Sequence, residues 1–194
     1  MKKILLLTSL SFIICHLSYS ASIKSPNGNI ELKFAIDDAG RPVYEMTYKG
    51  RDVIKPSHLG LELAKDKHAS KGQQEADLMD GFTIVKENIK EFDETWQPVW
   101  GETKDIRNHY VEYVAILQQQ TQQREIAIRF RVYDDGIGFR YEFPQQKELN
   151  YFLIKEERSE FAMADDHTAW WLPGDYDTLE QVTQQTKLSE IRAV

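Results

Sequence analysis

The sequence has almost no cysteine and no excess of positive charge. Cys15, its single cysteine, lies inside a short apolar stretch near the N-terminus. Once that stretch is removed, the chain has no thiol, which excludes disulfides, thiolate catalysis and cysteine-based zinc sites. The formal net charge is −7 and no basic stripe is present. This charge argues against nucleic acid and against an anionic membrane surface as partners.

The sequence also lacks the common catalytic motifs. It contains no G-x-S-x-G, no H-E-x-x-H, no phosphate-binding loop and no dinucleotide fingerprint. Apart from His16 in the N-terminal apolar stretch, its histidines are scattered without a metal-ligand spacing: His58, His68, His109 and His167. We therefore interpret them as structural or surface residues, and we assign no catalytic residue within the chain.

Residues 1–20 have the three parts of an export signal. Lys2 and Lys3 precede an apolar run over residues 4–17, which is too short to span a bilayer comfortably. Serines occupy the −3 and −1 positions of a cleavage site between Ser20 and Ala21. We expect a mature protein in the periplasm or secreted beyond it.

A lipid anchor on Cys15 is the alternative interpretation of this leader. Ile14 stands directly before that cysteine, where an anchoring motif would have a small residue. The cleaved signal peptide is therefore the favoured interpretation.

Apolar and polar residues alternate with a period of two through most of the mature chain, which indicates half-buried antiparallel strands. Many such strands, separated by turn signals, favour a mainly β sandwich as one domain over residues 21–185. The clearest alternating segments are Ile30–Ile36, Tyr44–Tyr48, Leu59–Leu63, His109–Leu117 and Ile126–Val132.

Turn and loop signals divide these strands. Residues 37–40 and the polar run 118–123 predict tight connections, and Asp134-Asp135-Gly136 predicts a hairpin in which aspartate bonds its own backbone. Residues 65–80 and 92–108 predict loops, the second of them with large rings. At the end of the chain, residues 186–194 predict the start of a helix.

Trp170 and Trp171 form an aromatic pair, and Asp175 follows shortly after. Aromatic pairs fill cores or domain seams, and their faces also stack on sugar rings. Polar groups beside aromatic rings at a strand end are typical of a ligand rim. This segment is therefore our candidate for a substrate-binding or interdomain surface.

Several segments together resemble glycoside hydrolase family 97 over about residues 25–191. The matching motifs are Ser25-Pro26-Asn27-Gly28, Ser57-His58-Leu59-Gly60-Leu61, Trp100-Gly101-Glu102, Ile106-Arg107-Asn108, the Asp134-Asp135-Gly136 hairpin and Ala169-Trp170-Trp171. The resemblance implies an antiparallel β-super-sandwich, similar to galactose mutarotase, with a short C-terminal helix. That helix would lead into a (β/α)8 catalytic barrel missing from this sequence.

The same resemblance implies an activity for the larger enzyme. Family members are calcium-dependent and cleave α-glucosides or α-galactosides with barrel carboxylates, so this chain alone is expected to be inactive. Glu190 matches a family glutamate that ligates calcium. The implied partners are an oligosaccharide substrate and the chain's own barrel, and a homodimer is left open.

Two other functions stay open on the residues alone. A stand-alone carbohydrate-binding sandwich would use the tryptophan pair, and a purely structural module would serve barrel stability and dimer contacts.

Overall fold

A computed structural model describes residues 21–65, 76–174 and 180–192. Within these ranges the chain forms twelve β-strands and one short 3₁₀ turn at Leu188–Glu190. No helix in the described residues is long and apolar enough to cross a membrane. The strands are β1 (Ala21–Lys24), β2 (Ile30–Ile36), β3 (Pro42–Tyr48), β4 (Arg51–His58), β5 (Leu61–Leu63), β6 (Phe82–Trp96), β7 (Ile106–Gln119), β8 (Arg124–Val132), β9 (Ile137–Glu142), β10 (Ile154–Glu157), β11 (Thr168–Trp171) and β12 (Gln184–Lys187).

Two four-stranded antiparallel sheets make the body of the domain. The first has the order β1-β2-β3-β4 and the second the order β6-β7-β8-β9. Two small antiparallel pairs, β5 with β10 and β11 with β12, complete the described sheet structure. The expected mainly β antiparallel sandwich is confirmed.

Aromatic side chains from alternate positions fill the space between the two large sheets. The Phe34 ring centroid lies 5.7 Å from those of both Tyr113 and Phe130, and Tyr44 lies 5.9 Å from Phe130. All four side chains are fully buried. Such pairs contribute roughly 0.5–1.5 kcal/mol each beyond their area burial, so they join the sheets as well as filling the core.

The β2–β3 turn shows how local chemistry fixes the register. Asp37 Oδ1 accepts hydrogen bonds from the N–H groups of Ala39 and Arg41, both at 2.9 Å. Gly40 has φ +78°, and a Cβ there would lie 2.7 Å from the backbone nitrogen of Gly81. Only glycine fits this position, which confirms the predicted turn and its reason.

The aspartate of the β8–β9 hairpin bonds a distant segment instead of its own backbone, which corrects the sequence interpretation. Asp134 Oδ1 accepts the N–H of Asn27 at 2.8 Å, across 107 residues of sequence. The Ser25–Gly28 motif and the hairpin motif are therefore in direct contact in the fold.

The expected loop over residues 92–108 was wrong at its two ends. Both ends of that range are strand: β6 runs to Trp96 and β7 begins at Ile106. Only residues 97–105 connect them. The sequence did not indicate this end of β6 because the strand is mostly exposed and carries charged residues on both faces. It therefore lacks the alternation of apolar and polar residues that marks a half-buried strand.

The expected C-terminal helix is only a 3₁₀ turn. Gln184–Lys187 are strand, Leu188–Glu190 form the turn, and Ile191 is extended again at φ −66°, ψ 122°. Lys187 is held extended by pairing with Thr168 across the small sheet. An α-helix would need helical dihedrals at Ile191, and its ψ of 122° is extended instead.

Candidate functional site

The candidate site is carried by the β11–β12 ribbon. The chain reaches it from an extended segment beside β4, where the N–H of Ala164 donates to the carbonyl of Val53 at 3.0 Å. β11 and β12 then pair antiparallel from Thr168 opposite Lys187 to Trp171 opposite Gln184. This pairing places the tryptophans and the 3₁₀ turn on one small structural unit.

The two tryptophans point to opposite faces of the ribbon, as successive strand residues must. Trp171 is half-buried, and its Nε1–H donates to Thr186 Oγ1 at 3.0 Å. Trp170 is 68% exposed. Trp171 therefore fastens the ribbon, while the Trp170 ring is available for stacking on a sugar or packing on a partner.

Asp166 holds the 3₁₀ turn against the start of β11. Its two carboxylate oxygens accept the backbone N–H and the hydroxyl of Ser189, both at 2.9 Å. These bonds lower the pKa of Asp166, with the backbone N–H as the largest cause. No local sequence pattern marks this contact, because Ser189 lies 23 positions away from Asp166.

Glu190 ends the same turn and is exposed. One of its carboxylate oxygens accepts the backbone N–H of Lys187 at 2.9 Å, which caps the start of the turn. The structure thus brings Trp171, Trp170 and Glu190 together on one ribbon and turn. Asp175, the remaining predicted site residue, lies outside the described residues.

The described residues do not by themselves fit a calcium site. No group of three or more histidine, cysteine, aspartate or glutamate side chains that could hold a metal occurs among residues 21–65, 76–174 and 180–192. Calcium takes about six to eight oxygen ligands. Glu190 could supply one carboxylate, and the others would have to come from elsewhere.

A sequence model described as "Glycosyl-hydrolase 97 N-terminal" matches residues 23–194. The chain belongs to glycoside hydrolase family 97. The family 97 domain is similar to a retaining α-galactosidase from Bacteroides thetaiotaomicron, with 27% identity over 180 residues. Those residues are 87% of this chain and 23% of that protein.

Solved structures agree with this membership. A family 97 enzyme from Pseudoalteromonas sp. strain K8, in complex with panose, superposes with a TM-score of 0.77 at 32% identity. The match covers 88% of this chain and 25% of that one. The acarbose complex from the same strain gives a TM-score of 0.75 at 32% identity. This match covers 86% of this chain and 24% of that one. A β-arabinopyranosidase shares the fold at 20% identity, with a TM-score of 0.67. This match covers 79% of this chain and 23% of that one.

The family 97 domain spans about a quarter of the length of these relatives. It corresponds to the N-terminal domain of family 97 glycoside hydrolases. This match confirms the family resemblance drawn from the motifs.

Proposed function

We propose that this domain belongs to an exported enzyme that removes terminal α-linked glucose or galactose from oligosaccharides. The domain shapes the substrate pocket and packs on a catalytic barrel that supplies the carboxylates. Family membership supports this proposal, as do the relatives named as an α-galactosidase and as complexes with panose and acarbose. The observation that carries it is the exposed Trp170 ring on the β11–β12 ribbon, which continues into the turn that ends at Glu190.

Within this proposal, Trp170 and Asp175 contact the substrate or the barrel, and Trp171 holds the ribbon that presents them. Glu190 contributes one oxygen ligand to a calcium ion whose other ligands lie in the barrel. Its exposed position at the end of the turn leaves the carboxylate accessible to a metal ion held mainly by another domain, and family membership supports this role.

The test uses the full-length polypeptide that carries this domain. We expect hydrolysis of p-nitrophenyl α-glucoside or α-galactoside, loss of activity with a calcium chelator, and no activity from residues 21–194 alone. Glu190→Gln should weaken calcium binding about ten-fold and lower activity in parallel, since one charged ligand is lost. Glu180→Gln, an exposed glutamate before β12, is the control. An unchanged calcium titration in Glu190→Gln would contradict the ligand assignment.

Export is tested separately by sequencing the mature N-terminus. We expect it to begin at Ala21, and a retained leader would contradict this part of the proposal.

The exposed Trp170 ring also favours a second candidate, a stand-alone carbohydrate-binding module. Maltooligosaccharides should then quench the tryptophan fluorescence of the chain, and Trp170→Ala should abolish the quenching, whereas Trp100→Ala should not. Quenching by the chain without hydrolysis by the longer polypeptide would favour this candidate.

A further inference from the structure

The β6–β7 hairpin extends beyond the body of its sheet. β8 pairs with β7 only as far as Val132 opposite Val111, whereas β6 and β7 stay paired to Trp96 opposite Ile106. Five residue pairs therefore project past the last β8 pair, a reach of about 17 Å at the usual rise per residue. We call residues 92–110 the arm.

The base of the arm is fastened to the sheet. Tyr110 is buried between Phe92 and Tyr133, with ring centroids 5.1 Å away on each side, and the Arg131 guanidinium lies 4.5 Å from its ring. This stacked base fixes the direction in which the arm leaves the domain.

The stem of the arm is polar, and most of its side-chain bonds run between its own strands; Asn108 also accepts the hydroxyl of Tyr133 at 3.3 Å. Arg107 forms a bidentate pair with Asp93 at 2.8 and 2.7 Å, and Asn108 donates to Glu94 at 2.8 Å. Exposed cross-strand ion pairs contribute little in water. A two-stranded hairpin without a third strand is at best marginally stable there.

The tip of the arm is apolar and open to solvent. Val99 is 100% exposed, Trp100 is 87% exposed and Trp96 is 49% exposed. Soluble proteins rarely leave such a cluster uncovered unless it is an interaction site. Tryptophan is also among the residues that most often dominate binding interfaces.

We propose that the tip of the arm, Trp96, Val99 and Trp100, docks into an apolar groove on the catalytic part of the same enzyme. This inference rests on the proposed function, since it needs that part to follow the domain. The chain spans only about a quarter of its family relatives, so the larger part of such an enzyme is available to cover the tip. A fully exposed valine beside the indoles fits a protein groove better than a sugar, which stacks on flat aromatic faces.

Cysteine labelling of the full-length polypeptide tests the docking directly. The domain has no cysteine from Ala21 onward, so Val99→Cys adds the only thiol in this part. Thr121→Cys is the control, because Thr121 is exposed in the β7–β8 turn, outside both the arm and the β11–β12 ribbon. Labelling by a maleimide is followed at each position by peptide mass. We expect position 99 to react at least ten-fold more slowly than position 121, at every protein concentration.

Three outcomes would overturn the proposal. Equal labelling rates would show that the tip is free. Protection that grows with protein concentration would identify a second copy as the occupant, and protection only in the presence of maltooligosaccharide would identify a sugar.

A second pair of variants keeps the test independent of labelling. Val99→Asp should lower the unfolding midpoint of the full-length protein, whereas Thr121→Asp, at an exposed turn position, should not. Loss of the docking alone leaves glycoside hydrolysis measurable. Absence of hydrolysis with position 99 still protected would instead defeat the proposed function and leave the docking in place.

Discussion

Arg124→Met should be among the most destabilising single changes in this domain. Arg124 opens β8 and is fully buried. Its Nε–H donates to Gln119 Oε1 at 2.8 Å, and its terminal nitrogen donates to the carbonyls of Ala76 and Asp77 at 3.1 and 2.9 Å. The side chain thus ties Ala76 and Asp77 to the tip of the β7–β8 hairpin.

The size of the destabilisation follows from the hydrogen-bond acceptors that would lose their Arg124 donor in the methionine variant. The carbonyl of Asp77 would still accept a hydrogen bond from the Nε2–H of Gln119, at 2.8 Å. The carbonyl of Ala76 and Gln119 Oε1 lose their Arg124 donors, at roughly 1–3 kcal/mol each. Relief of the buried charge, whose desolvation lowers the pKa of Arg124, returns part of that cost. We expect a net loss of about 3 kcal/mol.

Urea unfolding of the mature chain measures this loss, with the slope of the transition unchanged. For a chain of this size, the thermal midpoint should fall by roughly 6–12 °C. Arg140→Met is the matched control, since Arg140 lies on β9 of the same sheet with 63% of its side chain exposed. A loss below about 1 kcal/mol, or one equal to that of the control, would refute the reasoning.

Three further changes have defined outcomes. The hydrogen bond from Arg129 lowers the pKa of Glu142 to about 2. The stability of the wild-type protein should therefore fall as the pH drops from about 4.5 to about 2. In Glu142→Gln, the urea unfolding midpoint should change less with pH over this range. Tyr141→Phe should cost about 1–2 kcal/mol of unfolding free energy, because the buried N–H of Gly60 loses its 2.9 Å acceptor; a loss near zero would mean that water replaces the hydroxyl. Asp166→Ala should speed amide exchange in the 3₁₀ turn and leave the large sheets unchanged, and unchanged exchange in the turn would show that the serine bonds do not hold it.

The residues that carry the core were readable from the sequence. Ile30–Ile36 and Ile126–Val132 alternate because one face of each strand meets the other sheet and the opposite face meets solvent. The tight turns were readable as well, since Gly40 occupies a backbone conformation that other residues avoid.

The strands that could not be predicted from the sequence lack this alternation of apolar and polar residues. β6 is exposed along most of its length, so neither face is selected for apolar residues. β12, with the sequence Gln-Gln-Thr-Lys, is strand only because β11 pairs with it. Strand propensity depends on such neighbours more than on the residues themselves.

By itself, the sequence determined the fold class, the faces that form the core and the family, because these depend on local period and on short motifs. Only the tertiary structure decided that Asp134 holds Asn27, that Asp166 holds Ser189, and that Trp170 stays exposed while Trp171 is fastened. The reason is physical. A hydrogen bond between residues far apart in sequence depends on how strands and loops meet, and no local pattern records that meeting.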